Sequence, residues 1–176
     1  MRSLLPPAIL AGPAVSACSV HAGPAAPAAP AVLGHVHGLE QDPADGTVYV
    51  ATHSGVLSVG AEGARRVGTG KQDIMGFTLA GPGSFYGSGH PGPNEPGPPQ
   101  LGLIRSDDAV RKWQPLSLQG AADLHALSVS GQVVHGWDSV SGALLRSEDG
   151  GITWTSGAVA DIADLDIDRA ITTASW

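Results

Sequence analysis

The sequence predicts an all-β fold, a β-propeller of four-stranded blades with about three and a half blades present, and three observations predict it. Residues Ser147-Glu148-Asp149-Gly150-Gly151-Ile152-Thr153-Trp154 have the form S-x-D-x-G-x-T-W. That pattern suits a β-hairpin turn: Ser and Asp side chains can accept the turn's own N–H groups, Gly supplies positive φ, and Trp anchors the next strand. A degenerate copy lies 41 residues earlier, where Ser106, Asp108 and Trp113 keep the spacing and Val110 and Lys112 replace Gly and Thr. Four segments then share one pattern: HVHGL from His35, DIMGF from Asp73, DLHAL from Asp123 and DIADL from Asp161, their starts 38, 50 and 38 residues apart. Periods near 40 belong to propeller blades of four short strands, and no helical period interrupts them.

The elements follow in order. Arg2 makes a short basic start, and Leu4 to Val15 is apolar though broken by Pro6, Pro7 and Pro13. The run is too short to span a bilayer and reads as a signal. Val15-Ser16-Ala17-Cys18 resembles a bacterial lipobox. That resemblance implies a signal peptide over 1–17, cleavage before Cys18 and diacylglycerol on its sulfur, with two or more acyl chains giving stable anchoring. Cys18 is the single cysteine, so no disulfide forms within the chain. The Ala- and Pro-rich stretch completing residues 18–32 reads as a tether without a core.

The propeller occupies 33–176, with blades over about 33–70, 71–118, 119–158 and an incomplete 159–176. In the first, Pro43-Ala44-Asp45-Gly46 is a turn between His35–Leu39 and a strand over 47–52, and His53-Ser54-Gly55 turns into Val56–Val59. In the third, strands are expected over Gln132–Trp137, over Ala143–Arg146 and around Trp154. The long interval between the second and third segments holds a Pro/Gly insertion, Pro91 to Gln100. The small residues of the recurring segments suit a crowded innermost strand.

Composition narrows the function. A net charge of −7 argues against nucleic acid or an anionic membrane surface as partner. The membrane enters only through the lipid anchor, which places the protein in the cell envelope, at the outer face of the cytoplasmic membrane or in the periplasm or outer membrane of a Gram-negative cell.

The motif at 147–154 is similar to the Asp-box, or BNR repeat. With HVHGL, DIMGF, SGHP, DLHAL and LLRSEDGGITW, the chain resembles bacterial extracytoplasmic propellers of the sialidase-like and sortilin (Vps10)-like "glycosylhydrolase family" group. The resemblance covers about residues 33–176. Propellers typically close with four or more blades, so it implies a truncated product or a piece of a longer member. It also assigns Ser147, Asp149, Gly151, Thr153 and Trp154, with Ser106, Asp108 and Trp113, to blade structure and not to chemistry.

Propeller topology puts loops entering the first strand, and loops joining second to third strand, on the face that usually holds ligand. Aligned, the repeats put His35, Asp73, Asp123 and Asp161 in one column. His37, Met75 and His125 fall two residues later and point the same way, and His53, His90 and Asp138 occupy the second-to-third loops. Imidazole with thioether suits copper, and imidazole with carboxylate suits zinc or another divalent ion, so His37, Met75 and His125 are candidate ligands. Columns of His and Asp also cap strand ends without binding anything. A sialidase would need an arginine cluster, a Tyr nucleophile with a Glu partner, and an acid/base Asp. Arg105 and Arg146 instead precede the turn serines, Arg65 and Arg66 fall on a fourth strand, and Tyr49 and Tyr86 read as core. The expectation is a lipid-anchored binding or interaction module for a small molecule, glycan or protein. The alternatives are a sialidase-like glycoside hydrolase and a metal-handling envelope protein.

Overall fold

A computed structural model describes residues 31 and 33–168. Cys18, the signal segment and all of the tether except Ala31 lie outside the described residues. Among the described residues, twelve strands form three four-stranded antiparallel sheets in simple sequence order. The first contains β1 (Val36–Gln41), β2 (Val48–Thr52), β3 (Gly55–Gly60) and β4 (Gly63–Arg66). The second contains β5 (Asp73–Gly81), β6 (Ser84–His90), β7 (Leu103–Ser106) and β8 (Gln114–Ser117). The third contains β9 (Leu124–Ser130), β10 (Val133–Asp138), β11 (Ala143–Ser147) and β12 (Thr155–Val159). Each sheet is a meander whose first strand is innermost, and β5 lies against both β1 and β9. This is the expected β-propeller arrangement, and the described residues contain no helix.

Hydrophobic burial between sheets holds the blades together. Tyr49, Ala51 and Val56 of the first sheet pack with Ile74, Phe77 and Phe85 of the second. Tyr86 and Leu103 of the second pack with Leu124, Leu127 and Val134 of the third. Trp113 joins the first cluster and Trp154 the second, so the two repeat-equivalent tryptophans each close one inter-blade core. Tyr86 also donates its hydroxyl to the Gly150 carbonyl at 2.9 Å, which ties the second sheet to the turn of the third.

Both turn motifs fold alike. Ser147 Oγ donates to Asp149 Oδ1 at 2.8 Å and accepts from the Gly151 N–H at 2.9 Å. Asp149 accepts from the Thr153 N–H at 2.8 Å and from the Thr153 hydroxyl at 2.6 Å. The degenerate copy repeats this: Ser106 Oγ to Asp108 at 2.9 Å, Val110 N–H to Ser106 Oγ at 3.0 Å, and Lys112 N–H to Asp108 at 2.9 Å. Gly151 has φ of 89° and Val110, at the matching position, has φ of 65°. A β-branched residue there is strained, and burial of Val110 in the first inter-blade cluster offsets it.

The hydrogen bonds from Thr153 and Ser147 hold the Asp149 carboxyl down at about 2, against an ordinary 3.8. Because the folded value is the lower one, this stabilisation is present above the unfolded value and lost as pH falls through the folded one. Asp149→Ala is therefore expected to lower the melting temperature at neutral pH. The difference from wild type should shrink as pH drops from about 4 toward 2. Melting curves across that range check it; a difference that does not change with pH would contradict a stabilising carboxylate.

One expected element does not form. Residues 161–165, read as the first strand of a fourth blade, are coil. A strand requires a ladder partner, and among the described residues none follows to act as its second strand. The chain just after this segment is held to β9, where Ser128 Oγ donates to Asp166 at 3.0 Å and accepts from the Ile167 N–H at 3.1 Å.

Candidate functional site

Register sorts the ends of the sheets. In the third sheet Asp138 pairs with Ala143 at one end and Val134 with Ser147 at the other. The loop after β10 and the Ser147–Trp154 turn therefore lie at opposite ends. The same holds in the second, where His90 pairs with Asp73 at one end and Phe85 with Ser106 at the other. Apart from Asp161, the histidines and aspartates named from sequence gather at the first-strand end, in two clusters, one at each junction between sheets.

At the first junction His53, in the loop between β2 and β3, places Nδ1 at 2.8 Å from Asp73 Oδ2 at the start of β5. His37 Nε2 approaches the same His53 nitrogen at 3.1 Å, and His35 Nδ1 approaches His53 Nε2 at 3.2 Å. The three rings pack with centroids 4.3 to 5.1 Å apart. Asp73 Oδ1 is buried without a hydrogen-bond partner, with His37 Nε2 3.7 Å away. Burial lowers the His37 pKa, and the neighbouring His53 lowers it further against the opposing pull of Asp73.

At the second junction His90, which ends β6, places Nε2 at 3.3 Å from Asp123 Oδ2. His125 Nε2 lies 2.8 Å from the same oxygen. The Asp123 residue is 4% exposed, and its Oδ1 has no hydrogen-bond partner. Asp138 serves this cluster structurally. Its carboxylate accepts from the Asp123 N–H at 2.8 Å and from the Ser141 hydroxyl at 2.6 Å. Burial alone would raise the Asp138 pKa, but these hydrogen bonds outweigh it and the net shift is downward.

Both junctions use one rule: a histidine at or just past the end of one blade's second strand meets the aspartate at the start of the next blade, and His90, expected in the loop, is the last residue of β6 itself. His37, Met75 and His125, aligned in sequence, all line one cleft of about 450 Å³ beside the inner strands. The histidines of that column join different clusters, however. Asp161 is exposed on the coil after β12 and outside both. Two contributors carried no signal in the sequence: the Pro99 carbonyl, which lies 2.9 Å from His90 Nδ1, and the Ser139 hydroxyl, which donates to Asp123 Oδ2 at 3.1 Å.

The arginines sit elsewhere. Arg65 pairs with Glu62, Arg105 with Asp107 and Arg146 with Glu148. Arg66 alone among these reaches the histidine end, where it donates to the Ser54 carbonyl. No arginine fork for a carboxylate is assembled there among the described residues.

No family model matches the sequence, and no curated protein matches it. Solved structures do resemble the fold. The extracellular domain of a hybrid two-component system from B. thetaiotaomicron matches with a TM-score of 0.52 at 12% identity, over 69% of this chain and 15% of that one. An ancestral GH74 enzyme matches with a TM-score of 0.51 at 13% identity, over 70% of this chain and 18% of that one. YCF48 from Cyanidioschyzon merolae is 18% identical over 69% of this chain and 36% of that one, with a TM-score of 0.45. The chain thus spans 15% to 36% of the length of these structures. The likeness is one of fold: they are β-propellers.

Proposed function

We propose that the protein is a lipid-anchored extracytoplasmic β-propeller that works as a binding module, taking a cation or cationic ligand at the first-strand end. One observation carries this reading. Five histidines and the two aspartates Asp73 and Asp123 gather at that end, with no arginine pair among the described residues to hold an anionic sugar. A carboxylate ligand would meet repulsion from Asp73 and Asp123 without an arginine fork to offset it. The likeness to a GH74 enzyme is one of fold and does not carry glycoside hydrolysis to this chain.

Thermal-shift measurements on the full chain test the binding reading, with spermidine and divalent cations on one side and sialic acid and a neutral oligosaccharide on the other. Cations are expected to raise the melting temperature and the sugars to leave it unchanged. A shift with sialic acid alone would overturn the reading.

The anchor rests on Cys18 and the V-S-A-C box that it completes. Expressed in a bacterium, the protein is expected to take up labelled palmitate and partition into detergent. Cys18→Ser should abolish both. Equal labelling and partitioning of that variant would remove the anchor.

A further inference from the structure

We propose that the junction between the second and third sheets is a binding site for a divalent transition-metal ion, with zinc the best fit, ligated by His90 Nε2, Asp123 and His125 Nε2. This deepens the cation-binding reading above, and rests on it, by naming the class of cation and the atoms that hold it.

The first argument is geometric. His125 Nε2 and His90 Nε2 lie 2.8 and 3.3 Å from Asp123 Oδ2, and one donor atom from each of the three residues falls within 4.8 Å of the others. Tetrahedral bonds of zinc to nitrogen and oxygen imply ligand-to-ligand edges of about 3.3 Å. Small adjustments of three side chains would reach that geometry.

The second argument fixes a proton. His90 Nδ1 lies 2.9 Å from the Pro99 carbonyl oxygen, which can only accept. Nδ1 therefore carries the hydrogen, and in the neutral ring the lone pair is on Nε2, the atom aimed at Asp123. A backbone carbonyl behind a ligating histidine is the usual support that sets its tautomer for a metal. Pro99 belongs to the Pro91–Gln100 insertion, and the Leu101 N–H bond to the Gly89 carbonyl at 2.8 Å closes that loop beside the site. The insertion thereby orients His90.

The third argument is an unmet charge. Two imidazole nitrogens and the Ser139 hydroxyl crowd Asp123 Oδ2, while Oδ1 is buried with no donor at all. A buried carboxylate left half-satisfied is costly. A cation among these groups removes the cost: it takes the place of the proton between His125 Nε2 and Asp123, accepts the lone pair of His90 Nε2 and neutralises the carboxylate. Two imidazoles and one carboxylate are the three-ligand set of an open zinc site, and the partial exposure of His90 and His125 leaves a further position toward solvent.

The junction between the first and second sheets repeats the plan independently. Its loop histidine His53 meets Asp73, whose Oδ1 is also buried and unpartnered. His35 and His37 supply the additional nitrogens. Two ions per chain are therefore expected, each bridging two blades.

Zinc alone, titrated calorimetrically into chelator-stripped full-length protein, tests the proposal. Two equivalents are expected for wild type, falling to one in His90→Ala and in His125→Ala, with circular dichroism checking that each variant folds. Asp123→Asn, which keeps the side chain's shape, should weaken the same site. If a variant fails to fold, cobalt(II) added to wild type still decides. Intense visible bands of a four-coordinate ion support the site, and a weak octahedral spectrum overturns it.

No heat with zinc, or two equivalents retained by folded His90→Ala and His125→Ala, also overturns it. If zinc is inert while spermidine still raises the melting temperature, the metal assignment fails and the cation-binding reading stands. If neither acts, both fail.

Discussion

Phe85→Ala is expected to cost about 3–5 kcal/mol, the range for removing a fully buried aromatic ring. Phe85 is 0% exposed and lies between the first two blades. Its ring stacks on Phe77 with centroids 5.3 Å apart and 5° between planes, and meets Tyr49 edge-on at 4.9 Å. The three rings come from both sheets, so the truncation opens a cavity where neither blade can collapse without losing contact with the other. Against a total stability of about 5–15 kcal/mol for a typical domain, that loss is large. Urea unfolding of wild type and variant checks it through a lowered midpoint at unchanged slope. Phe85→Leu should cost clearly less, because most of the volume remains. A loss below about 1 kcal/mol for the alanine variant would mean that the junction repacks freely.

The inter-blade core was legible because its signal repeats. Tyr49 and Tyr86 occupy matching positions, and so do Trp113 and Trp154; each pair proved to be packing, one member per junction. The turn at Ser147–Trp154 was legible because its chemistry is local: serine and aspartate satisfy the N–H groups that follow within four residues. The degenerate copy at Ser106 held its shape because the two oxygens that make the turn were kept, while the glycine was replaced by a residue the core could bury.

The site was only partly legible, and the reason is geometric. Alignment compares like positions in different blades, whereas His53 meets Asp73 and His90 meets Asp123 across columns, one repeat apart. A search for a loop histidine followed one blade later by a strand-opening aspartate would have found both pairs. The Pro99 carbonyl could not be found that way, because any residue supplies a carbonyl and only the loop's path aims it at His90. Asp161 fits its column by spacing alone; in sequence nothing distinguishes a strand-opening aspartate from one on unpaired coil.

Gly76→Ala is expected to destabilise the fold by roughly 1–3 kcal/mol or more, the cost of overpacking, and more than the equivalent change at Gly38. The fourth position of the recurring segment is Gly38, Gly76 and Ala126 in the three complete repeats. A Cβ at Gly76 would sit 2.1 Å from the Leu124 carbonyl oxygen and 3.1 Å from Leu127 Cδ1. The first of these is backbone in the neighbouring blade and cannot rotate away, so β9 must move. A Cβ at Gly38 would come no nearer to any atom than 3.0 Å, and that atom is in the Phe77 side chain. Ala126 tolerates its methyl because no further first strand packs against β9 among the described residues. Gly60→Ala is the control: nothing lies within 4 Å of its added Cβ, and the change should stay within about 0.5 kcal/mol of wild type. Equal stabilities for all three variants would contradict the close approach of the inner strands. Leu124 stands between Asp123 and His125 in the chain. A Gly76→Ala protein that still folds should therefore bind zinc more weakly at the second junction, because the displaced carbonyl carries two of the three proposed ligands with it.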